Sequence, residues 1–135
     1  MSEIKNKISE YFSSQSSVGL VYFFGSRANG TFGAMSDYDF AIYLSEGSQD
    51  KRSALRIDFI TELIKILNTD KVDVVILNDL YVPEMKYQII CEGQLLFERE
   101  PYRLLVEPRI LNEYFDFKTM LRKYNFTKSW ATKKF

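Results

Sequence analysis

At 135 residues the chain has room for one domain, and 46% hydrophobic and 16% aromatic residues exclude a disordered one. Eighteen basic and eighteen acidic side chains cancel, so no global field draws the protein to nucleic acid or an anionic membrane. With no histidine and a single cysteine, Cys91, it has no imidazole base, no Ser-His or Cys-His pair and no internal disulfide. Any bound metal must then take oxygen ligands, which favours Mg²⁺ or Mn²⁺.

In chain order, Ile4, Ile8, Tyr11 and Phe12 recur at helical spacing and predict an amphipathic helix over residues 3–13. The opening "MSEIKNKISEYFSS" has no apolar signal core, and no run approaches a membrane span, so the expected compartment is the cytoplasm. "VGLVYFF" predicts a buried strand ending at Gly25, and the loop "GSRANGTFGAMS" follows. "DYDFAIYL" resumes as a strand, with Tyr38, Phe40, Ile42 and Leu44 on a core face and Asp37, Asp39, Ala41 and Tyr43 on a face left for chemistry.

Leu55, Phe59, Ile60, Leu63, Ile64 and Leu67 trace a helical stripe, and "KVDVVIL" reads as a further buried strand broken only by Asp73. "PEMKYQIICEG", with Pro first and Gly last, predicts a short helix in which Cys91 is a small core residue. "QLLFE" suits an edge strand. A helical segment over about residues 101–124 follows, with Pro108 expected to break or kink it, and residues 125–135 read as a mobile basic tail. The sum is a single α+β domain over residues 1–135, a small mixed sheet with helices packed on one face.

Two aspartates at i and i+2 of a strand point the same way, roughly 6 to 7 Å apart at Cα. Asp73 is costly inside an apolar strand unless it is paired or metal-bound. Asp37, Asp39 and Asp73 together are therefore candidate ligands of a two-metal site. Gly25 permits close backbone approach, Ser26 offers a hydroxyl, the following residues start a short helix, and Arg27 adds a charged donor, all of which suits a phosphate. A phosphate-binding turn followed by a carboxylate pair is what phosphoryl or nucleotidyl transfer requires. Asp79, in "LNDLYVP", reads as a turn or helix cap rather than a ligand.

"GSRANGTFGAMSDYD" resembles the Gly-Ser, ten residues, Asp-x-Asp signature of the DNA polymerase β-like nucleotidyltransferase superfamily, and within it the minimal nucleotidyltransferase (MNT) proteins. "YVPEMKYQIICEGQLLFERE" is similar to the family segment after the third acidic residue, and "EYFDFKTMLRKY" to the closing helix of MNT antitoxins paired with HEPN toxins. The resemblance implies a polymerase β-like nucleotidyltransferase fold, with Gly25, Ser26 and Arg27 at the triphosphate of ATP and Asp37, Asp39 and Asp73 on Mg²⁺. Two ions are implied, with Mn²⁺ as an alternative, and Asp73 helps deprotonate the incoming hydroxyl. Family members often carry a second Arg where this chain has Asn29.

The activity implied is that of an antitoxin that moves AMP from ATP to a tyrosine of its cognate HEPN ribonuclease and forms a hetero-oligomer with it, with no direct nucleic-acid or membrane binding. The alternatives are an aminoglycoside-type small-molecule nucleotidyltransferase and a toxin-binding inhibitor without chemistry.

Overall fold

The computed structural model of the chain describes residues 2–30 and 36–133, with side chains as far as residue 124. The middle of the signature loop, residues 31–35, and the last two residues of the expected tail lie outside the described residues. In chain order come α1 (Ser2–Ser13), β1 (Val18–Phe24), a one-turn α2 (Ser26–Asn29), β2 (Tyr38–Leu44), α3 (Gln49–Leu67) and β3 (Val72–Ile76). A 3-10 turn (Leu77–Asp79) then leads to α4 (Pro83–Glu92), β4 (Gln94–Glu98) and α5 (Tyr102–Lys133).

The four strands form one mixed sheet in the order β3-β2-β1-β4. β1 runs antiparallel to both β2 and β4, while β2 and β3 are parallel. The α+β class and the mixed sheet match the sequence expectation, and "QLLFE" is an edge strand as anticipated. α3 is framed as its sequence dictates: Ser48 caps its N-terminus by accepting from Lys51 N, and Asn68 ends it in the left-handed region at φ 55°.

Alternation along β1 and β2 sends side chains to two cores. On one face Val21, Phe23, Phe40, Ile42 and Val74 meet Ile8 and Phe12 of α1 and Phe59 and Leu63 of α3, all buried. Phe12 and Phe59 meet edge to face, with ring centroids 5.4 Å apart. On the opposite face Leu20, Tyr22 and Ala41 pack against Ile89 of α4 and against Val106 and Ile110 of α5. The expectation of helices on one face is thus corrected: α1 and α3 cover one side, α4 and α5 the other. Leu20, Tyr22 and Ala41 are as apolar and as buried as their neighbours, and an uncovered sheet face could not carry them.

Three local expectations also change. Pro108 does not end its helix; α5 runs through it, with Pro108 itself exposed, where water can serve the carbonyl left without a donor. Helical backbone continues to Lys133, past the expected end near residue 124. Cys91 is exposed rather than core, because Ile89 is the buried residue of that turn and two further residues rotate about 200° around the helix. No helix among the described residues is long and apolar enough to cross a membrane.

Candidate active site

The carboxylates are placed by strand register. In the parallel β2–β3 ladder Asp39 is the direct partner of Asp73, so both side chains leave the same face, with neighbouring strands about 4.8 Å apart. It is the face of Ala41 and Val75, the one covered further along by α4 and α5. Asp37, exposed, stands immediately before β2, where Tyr38 N donates to Lys71 O at 2.8 Å and ties the strand start to β3. The three aspartates therefore share one end of one sheet face.

Gly25 ends β1 beside them. Phe24 is the register partner of Asp39, and the next residue turns out of the strand at φ 85°, in the left-handed region that favours glycine. A Cβ at Gly25 would collide with the Asp39 carboxylate, so the missing side chain is what lets that carboxylate lie against the turn. Ser26 opens α2, closed by Asn29 N donating to Gly25 O and by a left-handed Gly30.

The electrostatics fit a waiting cation. The Asp39 carboxyl is pushed above its ordinary value, first by burial, then by the negative charge of Asp73 and of Asp37. The donor set is all oxygen, the choice of a hard divalent ion. Among the described residues, however, no three acidic side chains already converge as a finished cation cage. Asp73 Oδ1 accepts from Arg56 Nη2 at 3.2 Å and from Val74 N at 3.0 Å, while Arg56 Nε donates to Val74 O at 2.6 Å along the outer edge of β3. Arg56 thus supplies a counter-charge to Asp73 through Oδ1.

Arg27 follows Ser26 and reaches across to the residue before Asp37. Its Nε donates to Ser36 O at 2.8 Å and its guanidinium lies 4.3 Å from the Tyr38 ring centroid, so it fastens the returning loop to β2. Asp79 pairs bidentately with Arg52, at 2.6 Å and 3.0 Å, and holds the 3-10 turn to α3. Sequence reasoning missed Arg56: an Arg on an amphipathic helix carries no local sign of the strand edge it will reach, seventeen residues on.

Comparisons with known proteins follow this geometry. The family model described as "Polymerase beta, Nucleotidyltransferase" matches residues 6–102, while no curated protein sequence matches the chain. Among solved structures, the chain is similar to one from a toxin-antitoxin with AMP-PNP, with a TM-score of 0.72 at 21% identity, covering 93% of this chain and 98% of that one. It is also similar to a chain from the tri-AMPylated Shewanella oneidensis HEPN toxin in complex with MNT antitoxin (TM-score 0.68, 18% identity, 95% and 98% covered). A third likeness is to the toxin-antitoxin MntA-HepT (TM-score 0.68, 18% identity, 96% and 99% covered). At these identities the structural likenesses establish the fold.

Proposed function

Because the chain belongs to the polymerase beta nucleotidyltransferase family, we propose that it is the antitoxin of a HEPN/MNT pair, a protein adenylyltransferase that moves AMP from ATP to a tyrosine of its HEPN ribonuclease partner. The observation that carries the reading is the register pair Asp39–Asp73 beside Gly25, which gathers a carboxylate group and a side-chain-free turn at one sheet end. Complexes of a HEPN toxin with an MNT antitoxin, one of them with a tri-AMPylated toxin, share the fold and support the choice of acceptor.

In this reading Gly25 and Ser26 hold the triphosphate, and Asp37, Asp39 and Asp73 hold Mg²⁺ or Mn²⁺. When bound, the divalent ions neutralise phosphate charge and favour in-line displacement. The tyrosine oxygen forms its bond to the α-phosphorus as the bond to the pyrophosphate oxygen breaks, and the phenolic proton passes to Asp73. The adenylate left on the toxin blocks and repels RNA phosphates. In the same reading Arg27 adds a charged donor for the triphosphate, while its Nε holds the loop that brings Asp37 back to the site.

The test is intact-mass spectrometry of a HEPN-domain partner after incubation with this protein, ATP and Mg²⁺, beside an Asp37→Ala/Asp39→Ala control. One or more added AMP masses, absent with the control, is the expected result. Neutralisation with no added mass would mean inhibition by contact alone. Labelling of an aminoglycoside in the absence of any protein acceptor would move the acceptor to a small molecule.

A further inference from the structure

We propose that the second half of α5 is a docking surface for single-stranded RNA, a binding function separate from the nucleotidyl-transfer site. The eighteen basic and eighteen acidic residues cancel overall, but they are not evenly spread. Every acidic residue lies at or before Asp116, and residues 117–135 hold six basic ones, Lys118, Arg122, Lys123, Lys128, Lys133 and Lys134. The chain before them is left with twelve basic against eighteen acidic residues, a body that repels a polyanion and an arm that attracts one. The arm is helical to Lys133, so residues 117–133 span about 25 Å.

Aromatic rings lead into this charge. Tyr87 of α4 and Tyr114 of α5 stack with ring centroids 3.8 Å apart, and Phe115, 54% exposed, stands edge-on to Tyr114 at 5.6 Å. Lys118 follows one turn on, its Nζ 5.9 Å from the Tyr114 ring centroid, and exposed Arg122 comes a turn later. Positions four apart are neighbours on a helix, so the stripe continues through positions 126 and 130, where the sequence has Phe and Trp. The nearest acidic groups do not interrupt it: Glu113 is paired with Lys86 at 2.8 Å, and Asp116 lies about 200° around the helix from Lys118.

Cations that track phosphates, interleaved with rings that stack on bases, suit an unpaired strand, and RNA offers such bases in its loops and ends. A duplex hides its base faces and meets the cations alone. A helix lying on an anionic membrane carries its bulky aromatics opposite the basic face. Here positions 126 and 130 fall on the side of Lys118 and Arg122, across the helix from Phe117 and Met120.

The test is fluorescence anisotropy of a labelled oligouridine titrated with the full chain, beside a duplex RNA, an oligothymidine of equal length and vesicles containing phosphatidylserine. Lys118→Glu/Arg122→Glu and Phe115→Ala change only exposed residues, so neither burdens the fold. Wild type should bind oligouridine with an affinity that falls with salt at a logarithmic slope of about −3, as for about four phosphate contacts on a single strand. The charge variant should bind at least about tenfold more weakly, with the slope reduced by about 1.4, and Phe115→Ala about fivefold more weakly at an unchanged slope. The duplex should bind at least about fivefold more weakly than oligouridine. Absence of oligouridine binding at low salt, wild-type affinity in either variant, or equal affinity for the duplex overturns the proposal. Tighter binding of oligothymidine overturns it in favour of DNA, and binding of vesicles without RNA in favour of a membrane. None of these outcomes touches the nucleotidyl-transfer reading.

Discussion

The two faces of the sheet are built from the same strands and do different things. Under α1 and α3 the residues of β1, β2 and β3 form an aromatic-rich core, with Phe23 and Phe40 buried and Tyr38 and Val72 half-buried at the end near the aspartates. Under α4 and α5 the cover stops short, and at the uncovered end the same strands present Phe24, Asp39 and Asp73. A period of two lets one strand hold a hydrophobic core and a charged site back to back. The price is borne by Asp39, whose burial and then whose acidic neighbours Asp73 and Asp37 disfavour its charge.

The largest effect that would break this contrast lies on the face under α1 and α3. Phe59 is fully buried between Phe12 and Tyr11, and Phe59→Ala should cost about 3–5 kcal/mol in urea unfolding while nucleotidyl transfer per folded molecule is retained. A loss under about 1 kcal/mol would mean that this face is not the structural one. Gly25→Ala comes next, on the open face: a strained positive φ costs about 1–3 kcal/mol, and displacement of the Asp39 carboxylate should abolish transfer. Transfer at wild-type rate would separate Gly25 from the site.

Tyr22 sharpens the contrast where α5 docks. Its hydroxyl donates to Glu107, and its pKa is raised above 10.0 by burial and then by Glu107. A raised folded pKa means that this stabilisation is whole below the unfolded value and is lost as pH rises above about 10. Tyr22→Phe should cost about 1 kcal/mol at neutral pH and flatten the alkaline fall in thermal stability. An unaltered alkaline fall would place its origin elsewhere. Arg56→Gln should be the mildest, since Arg56 and Asp73 are both half-exposed: stability should change by less than about 1 kcal/mol, while Mn²⁺ affinity by electron paramagnetic resonance rises severalfold as Asp73 is freed. Weaker Mn²⁺ binding would make Arg56 a support of the site rather than a competitor.

What could be read in the sequence was what the chain holds locally. Gly25, Ser26, Asp37 and Asp39 lie within fifteen residues, and Asp73 betrays itself as a lone charge in an apolar strand. The pairing of Asp39 with Asp73 depends on register between strands more than thirty residues apart, and nothing in either strand states it. Leu104 and Phe115 fit the helical pattern of the last segment yet are 79% and 54% exposed, whereas Val106 and Ile110 carry the contact with the sheet. Periodicity identifies a helix, but the face that docks is set by the partner surface. That Arg27 Nε also donates to Ser36 O, with the guanidinium over the Tyr38 ring, is a contact between the two ends of a loop, and its position after Gly-Ser does not state it.

The central claim is that the open end of the sheet keeps a carboxylate group for a divalent cation at a cost in stability. Thermal unfolding of wild type and Asp39→Asn, with and without Mg²⁺ or Mn²⁺ at neutral pH, tests it most directly. A carboxyl whose folded pKa lies above the unfolded 3.8 loses stability as pH rises through that range, so ion-free Asp39→Asn should melt higher than wild type, with the gap closing in acid. Added cation should raise wild type and leave Asp39→Asn unmoved. A variant that melts lower without metal, or gains as much from the cation as wild type does, would contradict the account.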